Sequence, residues 1–143
     1  MKPEAGDILG TAADQLMGQI APNLNAHYLQ GSLAVQSLLM KFAAREYERG
    51  ADIRFAENAD MRALFAELAP NVGDAALRTQ LMAAVATMDS SLTISALNTS
   101  NAELRRLLIA LQIHIEDTGD SAAQKRIWEA LNTMASRRVV SLF

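Results

Sequence analysis

The stretch "AHYLQGSLAVQSLLMKFAAREYERGADIRFAENADMRALFAEL", residues 26–68, decides the fold. As one helix it would be long for a globular domain; as two it would make a hairpin. Its apolar side chains recur at helical spacing on more than one line. Tyr28, Val35, Leu38, Leu39 and Phe42 form one, and Leu29, Leu33, Met40 and Tyr47 another. A helix apolar around most of its circumference is normally covered on all sides, so a central helix is expected from about Leu24 to Arg49. Gly50 is the candidate break, because glycine inside a helix costs about 1 kcal/mol against alanine. The favoured reading places a turn there and a further helix over Asp52 to Leu68, with Ile53, Met61, Leu64, Phe65 and Leu68 inward. One kinked helix over 24–68 is the alternative.

Working outward, a first helix runs from about Asp7 to Ile20 and stops or kinks at Pro22, which lacks a backbone donor and restricts the residue before it. Pro70 and Gly73 mark a loop after Leu68. A fourth segment from Asp74 as cap to about Met88 aligns Leu77, Leu81, Val85 and Met88. Ser100-Asn101-Ala102-Glu103 has the form of a capping box, and Leu104, Leu107, Leu108, Leu111 and Ile115 then recur until Gly119. A sixth helix opens at Asp120 or Ser121, buries Ile127, Leu131 and Met134, and ends near Arg138. Short links between amphipathic helices favour antiparallel neighbours. The expected fold is therefore an all-α antiparallel bundle of about five to six helices, forming a single domain over residues 1–143.

Composition agrees with helices. Half of the 143 residues are hydrophobic and only 5% aromatic, a mix rich in Ala, Leu and Met rather than in strand formers. With no cysteine, disulfides and thiolate chemistry are excluded. The opening residues MKPEAGDILG lack the apolar core of a signal peptide, and LLIALQI at 107–113 is too short to span a bilayer. A cytoplasmic protein without membrane attachment is expected. Residues 1–72 carry 6 basic and 9 acidic side chains and residues 73–143 carry 7 of each, giving −3 and 0. Neither half offers the positive surface that nucleic acid requires.

A bundle core can hold metal when Glu-x-x-His pairs place two ligands one turn apart. No such pair occurs: His27 has Gln30 and Gly31 one turn on, neither a carboxylate, and His114 has only Asp117 three residues later. Glu46 lies on the His27 helix but roughly 28 Å further along at 1.5 Å per residue. His114 suits the last turn of a helix, where the dipole and Asp117 favour it. No Gly-x-Ser-x-Gly turn or phosphate-binding glycine loop is present. No catalytic residue, metal ligand or cofactor is assigned. One polar cluster stands out in "REYERGADIRFAEN", residues 45–58: Glu46, Tyr47, Glu57, Asn58 and Arg62 would converge across a hairpin turned at Gly50. Its plain reading is a solvated face of i,i+3 and i,i+4 pairs. Three basic dipeptides, Arg105-Arg106, Lys125-Arg126 and Arg137-Arg138, raise a phosphate-bearing ligand as a further reading.

At "EYERGADIRFAENADMRALFAE" and "SALNTSNAELRRLLIALQIHIE" the chain resembles an uncharacterised family of small all-helical bacterial proteins. More loosely, these are similar to short helical proteins encoded beside acyl-coenzyme A dehydrogenases and aminoglycoside-phosphotransferase-like kinases. The resemblance implies a bacterial protein accessory to acyl-group or small-molecule metabolism, and no catalytic residue.

The first expectation for function is a non-enzymatic accessory or interaction protein that self-associates as a homodimer. Its motive is the abundance of apolar side chains and the ending "VVSLF", with Val139, Val140, Leu142 and Phe143 able to pack on a partner. The second is a carrier of an acyl- or nucleotide-bearing small molecule, since seven methionines with Gly18 and Gly31 would suit an adaptable cavity. The third is a metal-dependent enzyme, which would need Glu46, Glu57, His27 and His114 to meet in space.

Overall fold

Proline, not glycine, ends the long helix. The computed structural model describes residues 2–139, and among these the structure is all-α, with five α-helices and no strand. They are α1 (Ala5–Gln15), α2 (His27–Leu68), α3 (Ala75–Val85), α4 (Ile94–Thr118) and α5 (Ser121–Arg137). The turn expected at Gly50 does not form. Helix α2 runs unbroken for 42 residues with Gly50 buried inside it. A penalty of about 1 kcal/mol is too small to break a helix when neither Ala51 nor Asp52 removes a backbone bond. At Pro70 the helix does stop, in the short 3-10 turn Ala69–Asn71.

The chain divides into two compact units, Met1–Ala51 and Asp52–Phe143. The first holds α1, its continuation through a π-helical turn (Leu16–Ile20) and a 3-10 turn (Ala21–Asn23), and the opening part of α2. Small residues set its packing. The Ser37 hydroxyl donates to the Ala13 carbonyl at 3.0 Å, and a side chain at Gly6 would meet the Ala44 carbonyl at 3.7 Å. Lys41 pairs with Asp14 at 2.9 Å on the same side of α2. Asn23 and Gln30 close the link by donating to the Gln19 and Leu24 carbonyls.

The second unit contains the large core. Met61, Leu64, Phe65 and Leu68 of α2, Leu77 and Leu81 of α3, Leu104, Leu108, Leu111 and Ile115 of α4, and Ile127 and Met134 of α5 form one buried cluster. Its helix ends are chemically specified. Asp74 accepts from the Ala76 and Leu77 amides at 2.9 and 3.0 Å, and Asp120 from the Ala123 amide at 3.0 Å. Gly119 ends α4 at φ 69°, left-handed backbone that glycine adopts without strain. Helix α4 begins earlier than the capping box suggests. Thr93 caps it and Ser100 lies about two turns inside.

The covered central helix expected from about Leu24 to Arg49 is not found; the buried apolar side chains of α2 lie beyond it, at Met61, Leu64, Phe65 and Leu68. Tyr28, Val35, Leu38 and Leu39 are all exposed, Tyr28 by 83% and Leu39 by 59%. Periodicity identifies which residues share a face. It does not reveal how many neighbours the unit has to cover the faces, and here α1 covers one. At the other end Val139 is exposed, and Val140, Leu142 and Phe143 lie outside the described residues. No helix among the described residues is long and apolar enough to cross a membrane.

Candidate functional site

In the second unit, one carboxylate is entirely removed from solvent. Glu57 sits on the same stripe of α2 as Met61, Leu64, Phe65 and Leu68, which turns its side chain inward at 0% exposure. Asn101 occupies the matching place on α4, in line with Leu97, Leu104 and Leu108. A charge carried inward this way must be paired and hydrogen-bonded. Arg138, just past the end of α5, donates from Nε to Glu57 Oε1 and from Nη2 to Oε2 at 2.7 Å. Arg105 adds a bond to Oε2 at 3.3 Å and Asn101 another at 3.2 Å. Burial alone would push the Glu57 carboxyl up, but the bonds and charges of Arg138 and Arg105 outweigh it and hold it below the usual glutamate range.

From there the donors pass in one direction. Arg105 Nε donates to Asn101 Oδ1 at 2.7 Å, Asn101 Nδ2 to Asn58 Oδ1 at 2.9 Å, and Asn58 Nδ2 to Asp89 Oδ1 at 3.1 Å. Asn58 also donates to the Leu97 carbonyl. Asp89, in the loop between α3 and α4, receives Arg62 through Nη2 at 2.9 Å and Nη1 at 3.4 Å. Burial again acts upward on Asp89, whose side chain is 3% exposed, and Arg62, Ser100 and Asn58 reverse it, leaving its carboxyl below the ordinary aspartate value. Beside the network, Arg137 pairs with Asp60 and Arg54 donates to Asn98 at 2.6 Å.

Of the five residues singled out in the sequence, the structure brings together Glu57, Asn58 and Arg62. Glu46 and Tyr47 belong to the first unit. The turn that was to join all five is absent, because α2 is continuous. Asp89 was missed; the sequence reading puts Asn101 in a capping box and offers Arg105 and Arg138 to a phosphate-bearing ligand rather than to Glu57. Asn101 carried a legible signal, a polar residue at a core position of an otherwise apolar stripe. Asp89 and Arg138 carried none, since they sit beyond helix ends where periodicity says nothing.

Chemically, the network is closed. Each buried side-chain nitrogen and oxygen among the described residues has at least one hydrogen-bond partner. A general base needs a lone pair facing a substrate, which this carboxylate does not offer. Its effect is to fix the register of α2, α4 and the end of α5. No group of three or more His, Asp or Glu among the described residues could hold a metal ion. The basic dipeptides are largely consumed. Arg105 and Arg138 bind Glu57, Arg137 binds Asp60, and Arg126 bridges Glu67 and Glu129 at 2.7 and 2.8 Å. His114 adds a small positive contribution near Asp74, whose carboxyl is held low chiefly by the Leu77 amide.

The first unit presents a different feature. Between Asp14 and Lys41 there is no Asp, Glu, Lys or Arg, although charged residues make up 20% of the chain and about five would be expected over that length. Within this uncharged segment, Met17, Ile20, Tyr28, Leu29, Val35, Leu38 and Leu39 are exposed. Apolar residues scattered singly on a surface are ordinary, whereas here seven fall in one uncharged segment. A scan against protein-family models, a search of curated proteins and a search of solved structures each found no match.

Proposed function

We propose that this protein is a non-enzymatic accessory module that works by association, first of all with itself. The observation that carries this reading is the uncharged helical face of the first unit, where Tyr28, Val35, Leu38 and Leu39 stand in water. Burying such side chains yields roughly 25 cal/mol for each Å² removed from solvent, so the isolated face is the unfavourable state. The satisfied network around Glu57 agrees with a structural rather than a chemical role for the buried charges. The bacterial, cytoplasmic setting implied by the family resemblance belongs to the same proposal. Sedimentation equilibrium of the full chain tests it. A species of twice the 15.5 kDa chain mass at micromolar concentration is expected, and a monomer at every concentration would defeat the reading.

A second reading, a small-molecule carrier, rests on a cleft of about 460 Å³ in the second unit. Arg62, Thr87 and Ser100 lie at one side and Ala83, Leu104 and Leu107 make it apolar. Its size falls in the range of ligand sites. Native mass spectrometry of freshly purified protein would reveal a retained molecule, and a bare chain mass would count against it.

A further inference from the structure

One stripe of α2, exposed at Tyr28, Val35, Leu39 and Glu46 and half-buried at Ser32 and Phe42, is symmetric along the sequence. Tyr28, Ser32, Val35, Leu39, Phe42 and Glu46 follow one another at steps of four, three, four, three and four, and at 3.6 residues per turn they fall within about 80° of one another. Reversing the helix about Ser37 maps Tyr28 onto Glu46, Ser32 onto Phe42 and Val35 onto Leu39. Ser37 itself points the opposite way, into α1, as do Lys41 and Ala44 on their side of the helix. Helix α1 therefore leaves this stripe uncovered.

We propose that the stripe binds a second copy of this chain, with the two α2 helices antiparallel about a two-fold axis at Ser37. This rests on the self-association reading above. An isologous contact requires a surface complementary to itself, and the stripe supplies one only in this orientation. Each Val35 then meets the other copy's Leu39, and each Phe42 has the small Ser32 opposite it. Each Glu46 lies beside the other copy's Tyr28 hydroxyl and the first turn of its α2, which begins at His27. A carboxylate is favoured at a helix N-terminus. A parallel pair would instead set Glu46 against Glu46 and Arg49 against Arg49. Tyr28, Val35, Leu38 and Leu39, weighted by their exposed fractions, offer on the order of 450 Å² per copy. Two copies with their flanking residues reach about 1,000 Å², the lower edge of a specific interface. The dimer is accordingly reversible.

The absence of cysteine permits clean single labels. Spin labels on Gln36→Cys should lie close together in the dimer. On Arg49→Cys they should be separated by about 36 Å along the axis, twice twelve residues at 1.5 Å each. The doubly substituted Val35→Lys/Leu39→Lys chain should keep its helicity while its dimer weakens at least a hundredfold. Short distances at both label positions would overturn the antiparallel pairing. A lysine variant that dimerises like the parent would overturn the stripe as the interface, yet leave self-association standing. A parent chain that is monomeric throughout, or that floats with phosphatidylcholine vesicles instead of dimerising, would defeat both.

Discussion

Glu57 shows how a single buried charge can govern stability. Its carboxylate is fully buried, while Arg105 and Arg138 are each almost half exposed. Removing the arginines is therefore the damaging change, because it strands the ion that cannot rehydrate. The Arg105→Ala/Arg138→Ala chain should lose about 3 kcal/mol by urea unfolding at pH 7. Acid should narrow that gap. In the parent, Glu57 and Asp89 titrate below their unfolded values. Their contribution is thus fully present above the unfolded carboxylate range, near pH 4, and is lost as pH falls through the depressed folded values. Without its arginines Glu57 keeps its burial against only the Asn101 bond, so its folded value should rise above the unfolded one, and protonation relieves the variant rather than harming it. Melting curves of both chains between pH 7 and 3 should converge; a constant difference would show that the arginines act by packing alone. The inward position of Asn101 was legible from its place on the stripe. The length of the relay was not, because Asp89 and Arg138 join it from segments without periodicity.

Among the elements, two glycines of opposite consequence show which signals bind a helix boundary. Gly119 ends α4 at φ 69° with nothing within 4 Å of the position a side chain would take. Gly119→Ala should therefore cost about 1 kcal/mol from backbone strain alone. Gly10, inside α1, also has open space around it and ordinary helical backbone. Gly10→Ala should stabilise by about 0.5–1 kcal/mol. Thermal melts of the two variants, moving in opposite directions, check both; a shift of the same sign would refute the assignment. Gly50, though buried, shares the helical backbone of Gly10, and reading it as a turn failed for that reason: a glycine is a boundary only where the chain must leave helical space. Pro22, Pro70, Asp74, Gly119 and Asp120 were readable because each satisfies or removes a particular backbone group. Ser100 misled, since a capping box is also an ordinary pair of residues when Thr93 caps the helix first.

Over the whole molecule, the large core belongs to one unit and the uncovered apolar face to the other. The buried side chains of the first unit are few and small, Ala13, Ala21 and Ser37, whereas Phe65, Met61, Leu81 and Leu111 fill the second. The sequence made the all-α class legible, but spread the core evenly over every stripe, because composition cannot say which face meets a neighbour. Stability should be correspondingly uneven. Leu111→Ala should cost roughly 2–5 kcal/mol, since it empties a closed site. Leu38→Asp, on a side chain 40% exposed, should leave the main melting transition nearly unchanged, where a central helix would have lost cooperative folding altogether. Hydrogen exchange resolves the two units directly. Amides of α1 and of α2 up to Met40 should exchange by local opening, well before those of Leu104 to Ile115. If a second copy covers the stripe, protection over Tyr28 to Phe42 should rise with protein concentration, because binding stabilises only the folded partner. The same rise should be absent in Leu38→Asp and absent from α4 in every variant. Protection of the first unit that equals α4 and ignores concentration would mean that this face is neither weak nor waiting for a partner.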